Sequence, residues 1–361
     1  MQTFFRLMRP KMIKICGSWL EFFGKRIVLI LLIGIITLIF GLLPYSYGEI
    51  KGLMFLDYYY VAQHHLKDIK GQHGFWFRRI YLTYDKSLAP NFKMRFRLEM
   101  NSAGDFKTKS KLLPMVKDAS LSYKMDKHQL KLGIIPTPTW NNIETYWGYR
   151  CLEKTVVNLQ KLGAPRDFGL SLQGTLDKNQ KISYMVMFGN GQSINSEINK
   201  GKKIYGQLGF KPWSGSYFEF YGDYEKQNDN MTYYIYQAFG AYKTSWGRVG
   251  FQFTKRFFKQ GERIDNWPVF SAFAIIKASE STEIIARYDR VFEPNPKGEE
   301  ISYIPFSNVA SSHLIIGGFS WQAAQNIWLI PNLKYVFYTM PDKGEKPDSD
   351  IYFNLTVFFK F

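Results

Sequence analysis

The sequence predicts an all-β fold, an antiparallel transmembrane β-barrel of about 16 strands. Apolar and polar residues alternate in nearly every segment after residue 49, and long connections between these segments interleave with short ones. Aromatic residues make up 18% of the 361 residues, which is more than a soluble core of this size needs. A membrane barrel places such residues in girdles at its two lipid interfaces.

The segment FKMRFRLEM at 92–100 shows the alternation most clearly. Its apolar positions are Phe92, Met94, Phe96, Leu98 and Met100, and its charged positions are Lys93, Arg95, Arg97 and Glu99. Because successive side chains of a strand point to opposite sides of the sheet, one face of this segment is apolar and the other is charged. A single strand of this kind would also suit a soluble sandwich.

Sixteen such segments follow one another without helical crossovers. They are 50–62, 74–85, 92–101, 117–125, 128–135, 167–176, 181–188, 202–210, 216–225, 232–243, 247–257, 268–277, 282–291, 312–321, 327–338 and 350–361. Many have the length of about 9 to 12 residues that suits tilted strands crossing a membrane.

The connections are sorted by length along the chain. The connections after odd-numbered strands are long, except for the rather short one at 226–231, and those after even-numbered strands are short. In an even-stranded outer-membrane barrel both chain ends lie in the periplasm, where the turns are short and the outer loops are long. A sandwich has no reason to sort its loops in this way, so the pattern favours the barrel.

The last segment, 351–361, has apolar residues at every odd position and finishes on Phe361. We expect its apolar face to contact outer-membrane lipid, and we expect this strand to pair with the first one so that the sheet has no free edge. A terminal Phe after an alternating aromatic strand resembles the signal that outer-membrane barrels present to their insertion machinery. This pattern predicts a location in the outer membrane of a Gram-negative-type bacterium.

The N-terminal part contains the apolar run 27–43, preceded by Lys25 and Arg26 and followed by small residues at Ser46 and Gly48. This order predicts a signal peptide at 1–48 and a barrel at 49–361. An uncleaved membrane anchor is the alternative, and a translation start at Met12 stays open. Cys151 is then the one cysteine of the barrel, which rules out a disulfide framework or a cysteine-rich zinc site within one chain.

Several motifs between residues 74 and 190 resemble the phosphate-selective porin O and P family. They are the Arg78 and Arg79 strand, the Asp118 and Ala119 strand, the corner from Leu130 to Gly133 with Pro138, and the strand with Arg166, Asp167 and Gly169. The resemblance implies an outer-membrane channel for passive diffusion of small hydrophilic solutes, assembled as a homotrimer. The motifs identify the family and leave the solute open.

Eight basic side chains face the lumen if the alternation is followed strictly. They are Arg79, Lys93, Arg95, Arg97, Lys131, Arg248, Arg256 and Arg287. Such a cluster favours small anions by about 1 kcal/mol or more for each nearby charge. The alternative is that they pair with acids of the same parity, which are Glu99, Asp118, Asp167, Glu283 and Asp289. A specific phosphate site is a narrower hypothesis. The alternation places Arg78 on the lipid-facing side of its strand, from which its guanidinium would extend to the membrane interface.

The third outer loop, residues 136–166, is the longest connection in the first half of the chain, and 155–162 has some helical spacing. The resemblance implies that this loop folds into the barrel and sets its constriction. The candidate constriction residues are Tyr146, Trp147, Arg150, Glu153 and Lys154. The alternative is a loop packed over the barrel mouth without contact to solute.

Three functions other than a channel are alternatives for this sequence. A plugged or purely structural barrel has the same sequence pattern. A barrel enzyme would need a His near a Ser or an acid at the rim, and no phospholipase-type His motif is present. The net charge of +17 would suit a nucleic-acid-binding protein, but the basic residues are scattered along strands and form no recognised binding motif. We therefore expect no enzyme, no cofactor, no metal and no nucleic-acid partner.

Overall fold

The computed structural model describes residues 48–361 except Ser110, so the predicted signal peptide lies outside the described residues apart from Gly48. Sixteen strands are present: β1 (Glu49–Gln63), β2 (His73–Ala89), β3 (Phe92–Met100), β4 (Met115–Met125), β5 (His128–Pro136), β6 (Arg166–Thr175), β7 (Ile182–Gly189), β8 (Lys202–Phe210), β9 (Ser216–Asn228), β10 (Met231–Lys243), β11 (Gly247–Gln260), β12 (Arg263–Lys277), β13 (Thr282–Val291), β14 (Ser312–Ala324), β15 (Ile327–Tyr338) and β16 (Asp350–Lys360). The third outer loop contains helices α1 (Trp140–Trp147) and α2 (Val156–Leu159), and a 3₁₀ turn spans Gly298–Glu300.

The strands form one closed antiparallel barrel, which confirms the predicted fold class. Each strand pairs with its neighbour in sequence, and β16 pairs with β1 from Leu53 opposite Lys360 to Gln63 opposite Ile351. This last pairing leaves no free sheet edge. No helix among residues 48–361 is long and apolar enough to cross a bilayer.

The alternation of side chains follows the predicted two faces. On β11, Phe251 and Phe253 are about half exposed on the outside, whereas Gln252 and Thr254 between them are buried inside. On β16, Phe353 is exposed and Thr356 is fully buried. The exposed apolar side chains form a lipid-facing surface that a water-soluble sandwich would not tolerate.

The outer connection between β11 and β12 is shorter than the sequence predicts. The sequence predicts a long loop at 259–266, but β11 and β12 continue through most of it and meet at a turn of two residues. Gly261 adopts a left-handed φ of 60° there, a conformation that glycine tolerates easily. Strand β12 begins before Pro268, at Arg263. Its first residues pair with the end of β11, so the hairpin extends beyond the predicted strands.

A β-bulge overturns the lipid-facing assignment of Arg78. In the β1–β2 ladder Phe55 is opposite Arg79 and Leu56 is opposite Phe77, so Arg78 is an extra residue. A bulge shifts the alternation, so that both arginines point inward, and Arg78 is only 2% exposed. The same shift between β3 and β4 turns Lys117 toward the lumen beside Asp118.

The third outer loop folds into the barrel. Its apolar residues Trp147, Leu152 and Leu159 are fully buried in one cluster with inward-facing residues such as Phe273 and Ile316 of the wall. Helices α1 and α2 contact β10, β11 and β12. The loop helices therefore pack against this part of the barrel wall.

Candidate functional site

A buried ionic contact holds the third outer loop in place. The Glu153 carboxylate lies 2.9 Å from the Arg78 guanidinium of β2 and 2.9 Å from the Lys334 ammonium of β15. Arg78 also donates to the Leu152 carbonyl, and Trp147 donates through Nε1 to the Glu153 carbonyl at 2.9 Å. A buried carboxylate keeps its charge only when it is paired in this way.

Three of the predicted lumenal arginines also contact the loop. Arg248 Nε donates to the Tyr146 carbonyl at 2.9 Å, and Arg287 Nη1 donates to the Lys154 carbonyl at 2.6 Å. Arg256 lies over the Tyr233 ring and reaches the Lys161 carbonyl at 3.5 Å. Arg287 is 3% exposed, so its guanidinium positions the loop and offers almost no surface to a solute.

The predicted constriction residues fall into two groups. Trp147 and Glu153 are fully buried and serve as anchors of the loop. Tyr146 stacks on Tyr217 with 5.2 Å between ring centroids, and the partly exposed Arg150 pairs with Glu144 at 3.1 Å.

Lys154 is the titratable group of the constriction segment. Burial lowers the pKa of its ammonium, Glu153 raises it, and the nearby charges of Arg150, Arg79 and Arg78 lower it; the net result is a pKa of about 7. Near neutral pH its charge therefore depends on small changes of pH.

The wall formed by β2 to β5 carries the remaining predicted cations. Arg95 makes a bidentate contact with Asp85 at 2.7 and 2.8 Å, and Arg97 lies 3.2 Å from Asp118. Other contacts on this wall are Arg79 to Glu99 at 2.6 Å, Lys117 to Glu99 at 2.9 Å and Arg166 to Asp118 at 2.5 Å. Lys93 and Lys131 also lie on this inner face. Cations outnumber carboxylates here, since Glu99 and Asp118 each serve two basic groups.

Tyrosines donate hydrogen bonds to several lumenal acids on the other side of the barrel, and the sequence analysis did not anticipate these contacts. Tyr217 donates to Glu219 at 2.5 Å, and Tyr221 donates to Asp223. These pairs are two residues apart on β9, so a Tyr-x-acid pattern on an inward-facing parity could have revealed them. Hydrogen bonds to ionised carboxylates are stronger than those between neutral groups, so these tyrosines hold the acids in place.

The acids of predicted lumenal parity all have partners. Asp167 accepts from Tyr205 at 2.7 Å, Glu283 contacts Arg248 at 3.2 Å, and Asp289 contacts Arg287 at 2.6 Å. Many lumenal cations therefore pair with acids, which was the alternative to an unpaired basic cluster. Basic groups remain in excess on the wall of β2 to β5.

No protein-family model matches this sequence, and no curated protein matches it. Solved structures do match. An anion-selective porin from Comamonas acidovorans aligns with a TM-score of 0.64 at 14% identity, covering 88% of this chain and 100% of that chain. In-vitro folded OmpT of Vibrio cholerae in its trimer form gives 0.61 at 10% identity over 88% and 99% of the two chains. The outer membrane channel DcaP of Acinetobacter baumannii gives 0.61 at 11% identity over 88% and 97%.

These similarities extend over nearly the whole described barrel at low sequence identity. They show the fold, and together with the closed sheet and its lipid-facing surface they make this chain a β-barrel of the outer-membrane type.

Proposed function

We propose that the barrel is an outer-membrane porin through which small hydrophilic solutes diffuse passively, with a preference for anions. The observation that carries the proposal is the excess of basic side chains on β2 to β5, which lie across the closed barrel from β10 to β12, the strands that the loop helices contact. A solute that passes between them meets Arg95, Arg97 and Lys131 at close range. In a narrow, partly dehydrated lumen such charges act more strongly than at an open surface.

Several finer assignments belong to the same proposal. The motifs that resemble the phosphate-selective family make phosphate one candidate solute. The chain would act as a channel and not as an enzyme. A homotrimer is supported by the trimer form recorded for the OmpT structure, and sedimentation of the detergent-solubilised protein at a single-chain mass would count against it.

A plugged barrel is the competing function, and the apolar core of the loop is the observation that favours it. Trp147, Leu152, Val156, Val157 and Leu159 are all almost completely buried inside the barrel. Single-channel recording in planar bilayers separates the two functions, because a plugged barrel that is folded would give no steady conductance.

Lys131 provides the sharper test of anion preference. It faces the lumen on β5, whereas Asp118 on neighbouring β4 is already engaged by Arg97 and Arg166. Lys131→Ala should move the zero-current potential in a KCl gradient toward that of a non-selective pore. Lys255→Ala is the matched control, since Lys255 has the outward parity of Phe251 and Phe253 on β11. Equal zero-current potentials for the two variants would contradict the assignment of Lys131 to the pore wall.

A further inference from the structure

Three side chains that can bind a metal ion meet at the outer end of the seam between β1 and β16. His64 and His65 directly follow β1, and Asp350 is the first residue of β16. One donor atom of each residue lies within 4.8 Å of the donor atoms of the other two. None of these groups belongs to the proposed pore wall or to the contacts of the third outer loop.

The distances between the donor atoms suit a small ion. Asp350 Oδ1 lies 2.9 Å from His65 Nδ1 and 3.8 Å from His64 Nδ1. A tetrahedral Zn²⁺ ion with bonds of about 2.0 to 2.1 Å spaces its ligand atoms about 3.4 Å apart. The two observed distances lie on either side of this spacing, so modest side-chain rotations would bring the donors to it.

The cluster is buried, and its polar atoms are incompletely paired. The side chains of His64 and Asp350 are inaccessible to solvent, and that of His65 is 6% exposed. Within residues 48–361, His64 Nε2, His65 Nε2 and the nearby Tyr352 hydroxyl are buried without a hydrogen-bond partner. Buried polar groups are normally satisfied, so the unpartnered Nε2 atoms and Tyr352 hydroxyl show that the surroundings of this cluster are incompletely satisfied.

A second layer of contacts holds the carboxylate in position. The Tyr338 hydroxyl donates to Asp350 Oδ2 at 2.5 Å and accepts a hydrogen bond from the Ser307 backbone N–H at 3.0 Å. The His65 backbone N–H also donates to Asp350 Oδ1 at 2.7 Å. Metal-binding carboxylates are commonly oriented by hydrogen bonds of this kind.

We propose that His64, His65 and Asp350 form a binding site for a divalent transition-metal ion of the Zn²⁺ type. Two imidazoles and one carboxylate are ligands that Zn²⁺ accepts, whereas Ca²⁺ and Mg²⁺ prefer oxygen atoms alone. Binding releases the proton shared by His65 Nδ1 and Asp350 to solvent, and it breaks the hydrogen bond of 2.9 Å that the Leu66 N–H donates to His64 Nδ1. The ion fastens the first outer loop to the last strand.

Calorimetric titration of the folded full-length protein with Zn²⁺ in detergent tests the proposal. We expect saturable binding of a single ion and a higher unfolding temperature in Zn²⁺. Asp350→Asn should weaken binding at least about tenfold, and the double variant His64→Ala/His65→Ala should abolish it. His128→Ala is the control, because His128 contacts Tyr184 at another position of the barrel.

A second measurement keeps the test valid if these variants fail to fold. Co²⁺ added to the unmodified protein should produce the visible absorption bands of a four-coordinate site, and Zn²⁺ should remove them. His65→Gln, a milder change, should reduce the bands while the barrel stays folded. Absence of both heat and absorption, or equal binding by folded His65→Gln and unmodified protein, would overturn the proposal whether or not the barrel conducts.

Discussion

Arg78 and Glu153 form a salt bridge of 2.9 Å that is shielded from water and joins the wall of the barrel to the third outer loop. Arg78 reaches this position because the bulge in β2 turns it inward, and Glu153 reaches it because α1 leads the loop into the lumen. Lys334, from a strand far away in sequence, binds the same Glu153 oxygen. The position of the loop therefore depends on one carboxylate and on cations from two parts of the barrel.

Glu153→Ala should loosen this loop. Removing one member of a buried ion pair leaves the other charges unpaired, and such changes cost about 3 to 5 kcal/mol. We expect a lower free energy of unfolding in urea and cleavage of the third outer loop by protease in the otherwise folded barrel. Glu144→Ala is the control, because the Glu144 contact with Arg150 is partly exposed. Equal protease resistance of the two variants would show that Glu153 does not hold the loop.

The anion preference should decrease as the pH rises through about 7. Burial lowers the pKa of Lys154 to about this value, so the ammonium is charged below it and neutral above it. A positive charge at the constriction favours anions, and the preference is therefore larger on the acidic side. Recording the zero-current potential from pH 6 to pH 8.5, about 1 unit below and 1.5 units above this pKa, checks the prediction. Lys154→Met should remove the pH dependence, and a dependence that survives this change would assign it to another group.

Phe361 should matter more for assembly in the membrane than for the stability of the finished barrel. Its backbone N–H and carbonyl both pair with Gly52 at 3.0 Å, while its ring is 63% exposed. We expect Phe361→Ala to lower the amount of folded barrel in the outer membrane and to leave refolding in detergent unchanged. Gel mobility with and without heating measures both, with Phe359→Ala as the control on the same face of β16. A loss of refolding in detergent would show that the ring stabilises the barrel itself.

The sequence predicts the barrel well because its information is local. Alternation along a strand depends only on neighbouring residues, and it located all sixteen strands, with β2 and β12 as the clearest differences in length. Lumenal charge follows from parity in the same way, as Arg95 and Arg97 show. The alternation of faces is interrupted where a bulge adds a residue. For this reason the sequence wrongly places Arg78 on the lipid face.

The candidate site is less predictable because its contacts are not local. The pairing of Glu153 with Lys334 depends on the path of the third outer loop across the lumen, which no strand pattern encodes. The same path decides that Arg287 and Trp147 anchor the loop, although the sequence suggests Arg287 for the pore lining and Trp147 for the constriction. Burial by the loop separates the groups available to solute from those that hold the structure.

The most direct test of the central claim is the zero-current potential of the unmodified protein in a planar bilayer under a KCl gradient. The excess of basic groups on β2 to β5 predicts a steady conductance and a potential whose sign indicates chloride preference. A potential with the sign of potassium preference would contradict the account, because the lumenal carboxylates would then outweigh that basic wall.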